Sequence, residues 1–226
     1  MRLRVSPEVH VLGLHHPRIW RLTSDGPLLA QDGLTAEQAG ALYDARSPIP
    51  EGYRKLLAAL GHAEIIPAGE RLRELVRTRG WASHGAVVDA VTVATLRHGA
   101  GVGLHRTLPT DGQRNLVITR ASGHERITPA FTTRSRRVPA GDLIYGTREP
   151  DGTVEPFAWL GRRDCDSAAR QLTPEDSQAL LVVLGCPGEG AAHSEAIGTT
   201  VAEVLAAVRP DVRVTPLQDP AGCTAL

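Results

Sequence analysis

The stretch 87–103, VVDAVTVATLRHGAGVG, constrains the fold more than any other part of the chain, because it joins an apolar helix to a glycine-loosened segment. Val87, Val88, Val91, Ala94, Thr95 and Leu96 recur at helical spacing and predict a buried helix. Ser83 stands where it can cap the start, and Gly99 suits the left-handed conformation that stops a helix. Beyond it, Gly99, Gly101 and Gly103 alternate with small residues, which leaves backbone amides open to close approach by a ligand. A plain glycine loop has the same composition.

The flanking segments place this helix in a mixed fold. Residues 1–33 read as short strands and turns, with apolar stretches at 3–5 and 9–14 punctuated by Pro7, Pro17 and Gly26. Segments 35–45, 52–60 and 70–79 carry helix formers, the last two stopped by Gly61 and Gly80. From Leu116 the apolar period shifts toward two, predicting strands at 116–120, 142–145, 154–160 and 179–184. A final amphipathic helix is expected over 195–208, ahead of Pro210, with a returning strand at 212–215. Helices followed by strands predict an α+β arrangement rather than a doubly wound sheet.

Composition excludes several function classes. With 226 residues, 42% of them hydrophobic, the chain can bury one substantial core. Lys+Arg and Asp+Glu both count 25, so there is no overall cationic field to attract nucleic acid; no DNA partner is expected, and any RNA contact must be local. Cys165, Cys186 and Cys223 stand far apart without paired spacing, which fits a reducing cytoplasm rather than a disulfide framework or a cysteine zinc site. Neither a leader peptide nor a membrane segment is expected. His10, His15 and His16 on a strand would bring only two ring nitrogens to one face, so neither a metal nor another cofactor is expected.

The motifs EGYRKLLAALG and GERLRELVRTRG lie upstream of the central helix. LVITRASGHERI, VPAGDLIYG and VEPFAWLGRRDCDSAARQLTPEDSQALLVV follow it. In that order they resemble the editing domain of the phenylalanyl-tRNA synthetase β subunit, in its stand-alone version, over residues 50–186. The resemblance implies β-sandwich-like sheets flanked by helices. The expected division is an N-terminal strand and helix extension (1–50), an editing-like domain (51–216) and a flexible tail (217–226). The resemblance also implies a trans-editing deacylase that hydrolyses the ester of a mischarged tRNA, with aminoacyl-tRNA or tRNA as partner.

An aminoacyl ester is already activated, so its hydrolysis needs a positioned water, groups that steady the oxyanion, and a selective pocket. The sequence offers no Gly-x-Ser-x-Gly nucleophile, as expected both of such a hydrolase and of a binding protein. Within the resemblance, Gly103 stands where the synthetase domain has a histidine, and Thr92 where it has an asparagine. Val183 stands near the place of a glutamate that reads the tyrosine hydroxyl, so selection for tyrosine is expected to be lost. Thr92, Gly101, Gly103 and Trp159 are the expected substrate-binding residues.

His105 is the candidate catalytic group, a neutral imidazole that orients water; its alternative is an ordinary surface histidine. His98, at the last turn of the helix, is placed to act as an imidazolium cap. Trp159 can stack on a terminal adenine while Arg162 or Arg163 pairs with phosphate. The same segment also reads as a core tryptophan and a charged turn in which Asp164 and Asp166 neutralise the arginines. Arg136 and Arg137, in a basic loop, are further tRNA-binding candidates. They are preferred to the arginines of 70–79, where Glu70–Arg73 and Glu74–Arg77 are expected to pair locally. Two other functions fit the same pocket: a noncatalytic module binding tRNA or an amino-acid-like ligand, and an acyl transferase using an amine as acceptor.

Overall fold

A computed structural model describes residues 1–29, 33–44 and 48–217. The expected tail at 217–226 therefore lies, Leu217 apart, outside the described residues, as do Cys223 and Ala45. The chain begins with β1 (Arg2–Val5), a single helical turn α1 (Pro7–His10) and β2 (Arg18–Thr23). Helices α2 (Ala36–Leu42), α3 (Gly52–Ala59), α4 (Ala68–Arg79) and α5 (Ala86–His98) follow. Then come β3 (Val102–Arg106), β4 (Asn115–Arg120), β5 (Arg126–Ile127), β6 (Arg136–Arg137), β7 (Leu143–Arg148), β8 (Val154–Leu160), β9 (Asp164–Asp166) and β10 (Gln178–Val183). Helix α6 (Ala191–Val208) and β11 (Arg213–Pro216) close the described chain.

These elements make an α+β fold of two main sheets and a small ribbon. One sheet has the order β1-β4-β7-β8-β9, the other β11-β2-β10-β3, and β5 pairs with β6. Leu116, Ile118, Leu143, Phe157 and Leu160 from the first sheet meet Ile19, Leu180 and Val182 from the second in one buried cluster, which α3 closes with Tyr53, Leu56 and Leu57. Period-two alternation sends Leu22, Leu181 and Val183 to the opposite face of the second sheet, where Val87, Val93 and Val201 of α5 and α6 cover them. On the outer face of the first sheet, Val117, Ile144 and Trp159 pack with Ile127 and Val138. The order is therefore helices, sheet, sheet, ribbon, with the main cluster between the sheets.

Local chemistry explains most boundaries. Thr35 and Gln38 form a reciprocal capping box at the start of α2. Gly99 ends α5 with φ +67°, as its position predicts. Ser83 does not cap α5 directly. The buried Asp89 carboxylate gathers the Leu34 and His84 amides and the Ser83 hydroxyl, and so pins the entry segment to the helix. Arg73 caps the other end of α5 through the Leu96 carbonyl, and Glu70 pairs with Arg54 rather than with Arg73. Glu74 and Arg77 pair as expected.

Three elements differ from the sequence expectation. Segment 9–14 is not a strand, because Pro7 at the first helical position starts the turn α1. Residues 18–23, not expected as a strand, form β2 inside the second sheet between β11 and β10. The glycine-loosened 102–106 is strand β3, paired antiparallel to β10, rather than a free lip. The short ring stack of His10 on His15 lies at a turn and not along a strand, and no group of three metal-ligating side chains occurs among the described residues.

Candidate functional site

A cleft of about 620 Å³ opens between α4, α5 and the sheets. Thr92 on α5, Gly101 just before β3, Gly103 on β3 and Trp159 on β8 all line it. Four residues chosen from sequence thus reach one space. Tyr53, Tyr145, Phe131, Asp164 and Asp166 share the lining.

The glycines serve the tyrosines. A Cβ on Gly103 would lie 1.9 Å from the Tyr145 hydroxyl and 2.5 Å from His105 Nε2. One on Gly101 would lie 2.4 Å from the Tyr53 hydroxyl. Both positions are small because phenol groups already occupy the space above them, and not because the backbone is bare for a ligand. Burial holds both phenols well above their ordinary pKa, with the nearby aspartates adding to it, so both remain protonated.

His105 does not line the cleft. It is fully buried between the sheets, opposite Leu180, with its ring against Phe157. Its Nε2 lies 2.7 Å from the Tyr145 hydroxyl. Burial, helped by the Arg170 charge, lowers its pKa to about 3, so the ring is neutral. Any influence on the cleft passes through Tyr145. His98 differs from its expected role too: burial and the neighbouring His193 lower it to about 4, and it bonds the Thr200 hydroxyl instead of serving as a charged cap.

Trp159 belongs to the outer cluster and is 3% exposed, with its indole N–H donating to Asp142 at 2.6 Å. That leaves no open face on which a base could stack. Asp142 also accepts from the Arg162 amide at 3.0 Å and lies 2.6 Å from His62 Nε2, fixing the β8–β9 turn. The aromatic ring that stands free at the mouth is Phe131, 95% exposed and the one described non-glycine residue with positive φ, +61°. Sequence reasoning missed it, because a lone phenylalanine in a polar loop carries no periodic signal.

Of the candidate arginines, Arg163 and Arg136 both lie close enough to Cys165 to act on its thiol. Burial, Asp166 and Asp164 outweigh them and push the thiol up to about 11. Arg162 is exposed, and Arg137 turns away to the Gly123 carbonyl. Asp164 and Asp166 do not pair with the arginines beside them in sequence. They alternate with Cys165 on β9 and share the face of Leu160 and Ala158, toward the cleft. Burial, then Asp164, pushes Asp166 up to about 7. Burial also raises Asp164, opposed by Arg71 and the Ala68 amide. Val183 faces the helices, while Val182 and Leu184 wall the cleft.

No family model matches the chain, and no curated protein matches it. In structure it is similar to an N-terminal fragment of the phenylalanyl-tRNA synthetase β-subunit from Pyrococcus horikoshii, with a TM-score of 0.48 and 9% identity. The similarity covers 96% of this chain and 54% of that one, so the chain spans about half of that fragment's length. No described helix is long and apolar enough to cross a membrane.

Proposed function

We propose that the cleft receives the aminoacyl ester of a tRNA acceptor end and that the protein hydrolyses it in trans. The observation that carries this reading is the convergence of Thr92, Gly101 and Gly103 with the Tyr145 hydroxyl on one cavity of amino-acid size. In the Nε2–H tautomer of His105, the imidazole donates to Tyr145, whose own O–H is then free to donate to the oxyanion that forms as water attacks the ester carbonyl. Thr92 and Thr95, on one wall, supply hydroxyls that can hold that water. Phe131 offers its free face to the terminal base, and Arg136 and Arg163, with Arg137 and Arg162 as the other candidates, offer charge to the phosphates. Localisation follows the substrate, in the cytoplasm. In this reading residues 51–216 form the editing-like unit and 1–50 an N-terminal extension. Incubation with a panel of aminoacyl-tRNAs tests the proposal: at least one ester should lose lifetime in proportion to added protein, and lifetimes unchanged across the panel contradict it.

A specific observation favours a noncatalytic binding module as the second reading. His105 is sequestered and neutral, and the Cys165 thiol is raised rather than activated, so neither stands ready as base or nucleophile. Saturable binding of uncharged tRNA without faster hydrolysis is its signature.

A further inference from the structure

We propose that Asp164, Asp166 and the Tyr53 hydroxyl form a receptor for a primary ammonium group carried by the ligand of the cleft. The described residues that line this cleft include two carboxylates and no lysine, arginine or histidine. Asp166 makes no side-chain hydrogen bond among the described residues, and Asp164 accepts only a 3.3 Å bond from the Ala68 amide. Tyr53 is 4% exposed, yet its hydroxyl has no hydrogen-bond partner among the described residues and stands over Gly101 at the cleft wall. A phenol as buried as Tyr53 is normally satisfied, and it lines the same cleft as the two half-buried carboxylates. An ammonium carries three N–H donors, and two carboxylates with one phenol oxygen provide three acceptors.

The electrostatics agree with the geometry. Two carboxyls facing one space oppose each other's ionisation, and a cation between them relieves that opposition. Arg71 reaches Asp164 from α4, while Arg136 and Arg163 act at Cys165, on the other face of β9. None of them is a lining residue of the cleft. A ligand with phosphate or carboxylate at this point would be repelled, whereas an amino acid esterified at its carboxyl presents the amine alone.

This inference rests on the same cleft as the deacylase reading but needs no chemistry. The shared feature, a primary ammonium, can be the α-amine of an aminoacyl group or the end of a basic side chain. Calorimetric titration with L-phenylalaninamide and with Nα-acetyl-L-lysine amide separates the two sources, with N-acetyl-L-phenylalaninamide as the amine-free control. At least one free amine should bind, the control should bind about ten-fold or more weakly, and the D164N/D166N variant should lose a similar factor. Tyr53→Phe, which removes one oxygen and leaves the ring packing, should weaken binding about three-fold. Equal binding of free and acetylated amines, undiminished binding by folded D164N/D166N protein, or no amine binding at millimolar concentration overturns the proposal. A protein that binds amines but spares every aminoacyl-tRNA loses the deacylase reading alone. Deacylation that proceeds equally on N-acetylated aminoacyl-tRNA loses the ammonium receptor alone.

Discussion

His105 Nε2 sits 2.7 Å from the Tyr145 hydroxyl, in a space kept clear by Gly103, while His105 Nδ1 has no partner. An unpaired N–H is a worse burial than an unpaired lone pair, so the proton belongs on Nε2. Nitrogen chemical shifts of labelled protein should show a neutral Nε2–H ring from pH 5 to 8, on the order of that range because burial holds the pKa low. The folded pKa lies below the unfolded one, so this histidine contributes stability above about pH 6.5 that is lost as pH falls toward 3. His105→Gln should lessen that acid-side loss in a melting series.

Asp166 works in the other direction. Its folded pKa, about 7, lies above the ordinary 3.8, so folding retains a proton that the unfolded chain has released. Stability from this group therefore declines as pH rises from about 4 to 7. Asp166→Asn should raise the melting temperature at about pH 8, above the window, by more than at about pH 5, near its lower end. An equal change at both would show that the carboxyl is not desolvated.

Gly103→Ala forces a methyl into the Tyr145 and His105 contact, where rigid rings cannot swing aside. Overpacking of this kind should lower stability by about 1–3 kcal/mol, measurable by denaturant titration, and should narrow the cleft. A neutral effect would mean that the two rings have room the structure does not give them.

Arg170 is fully buried, bonded to Asp111 at 2.8 Å and Glu155 at 2.9 Å, with its guanidinium 3.9 Å above the Phe157 ring. Arg170→Met keeps volume but leaves the buried Asp111 carboxylate without its ionic partner, holding only the Leu108 amide. The loss should be about 3–5 kcal/mol, and pairing it with Asp111→Asn should recover part of that in a double-mutant cycle.

The sequence made some of this legible and hid the rest for physical reasons. Helices α3 to α5 and strands β4, β8 and β10 were readable because each carries its own period and a glycine or turn at its end. Strands β2 and β3 were not: Arg18 and Arg21 break the apolar alternation, one on each face, and Gly101 and Gly103 imitate a loop, until pairing with β10 supplies the context. Thr92, Gly101, Gly103 and Trp159 line one cleft. Tyr53, from a helix fifty positions upstream, and Asp166, disguised in a charged turn, reach it only through the tertiary fold. His105 lies two residues from a lining glycine, and strand alternation would have placed it on the Gly103 side, but nothing local shows that a tyrosine from β7 stands between it and the cleft.

The most direct test of the central claim is single-turnover deacylation of a panel of aminoacyl-tRNAs by the wild-type chain and by Tyr145→Phe. Phenylalanine keeps the ring and removes only the hydroxyl proposed to meet the oxyanion. The account predicts that one or more esters are cleared by the wild type, and that Tyr145→Phe slows this by about 10²-fold or more while the fold persists. Hydrolysis at equal rates in both proteins, or in neither above the spontaneous rate, would contradict it.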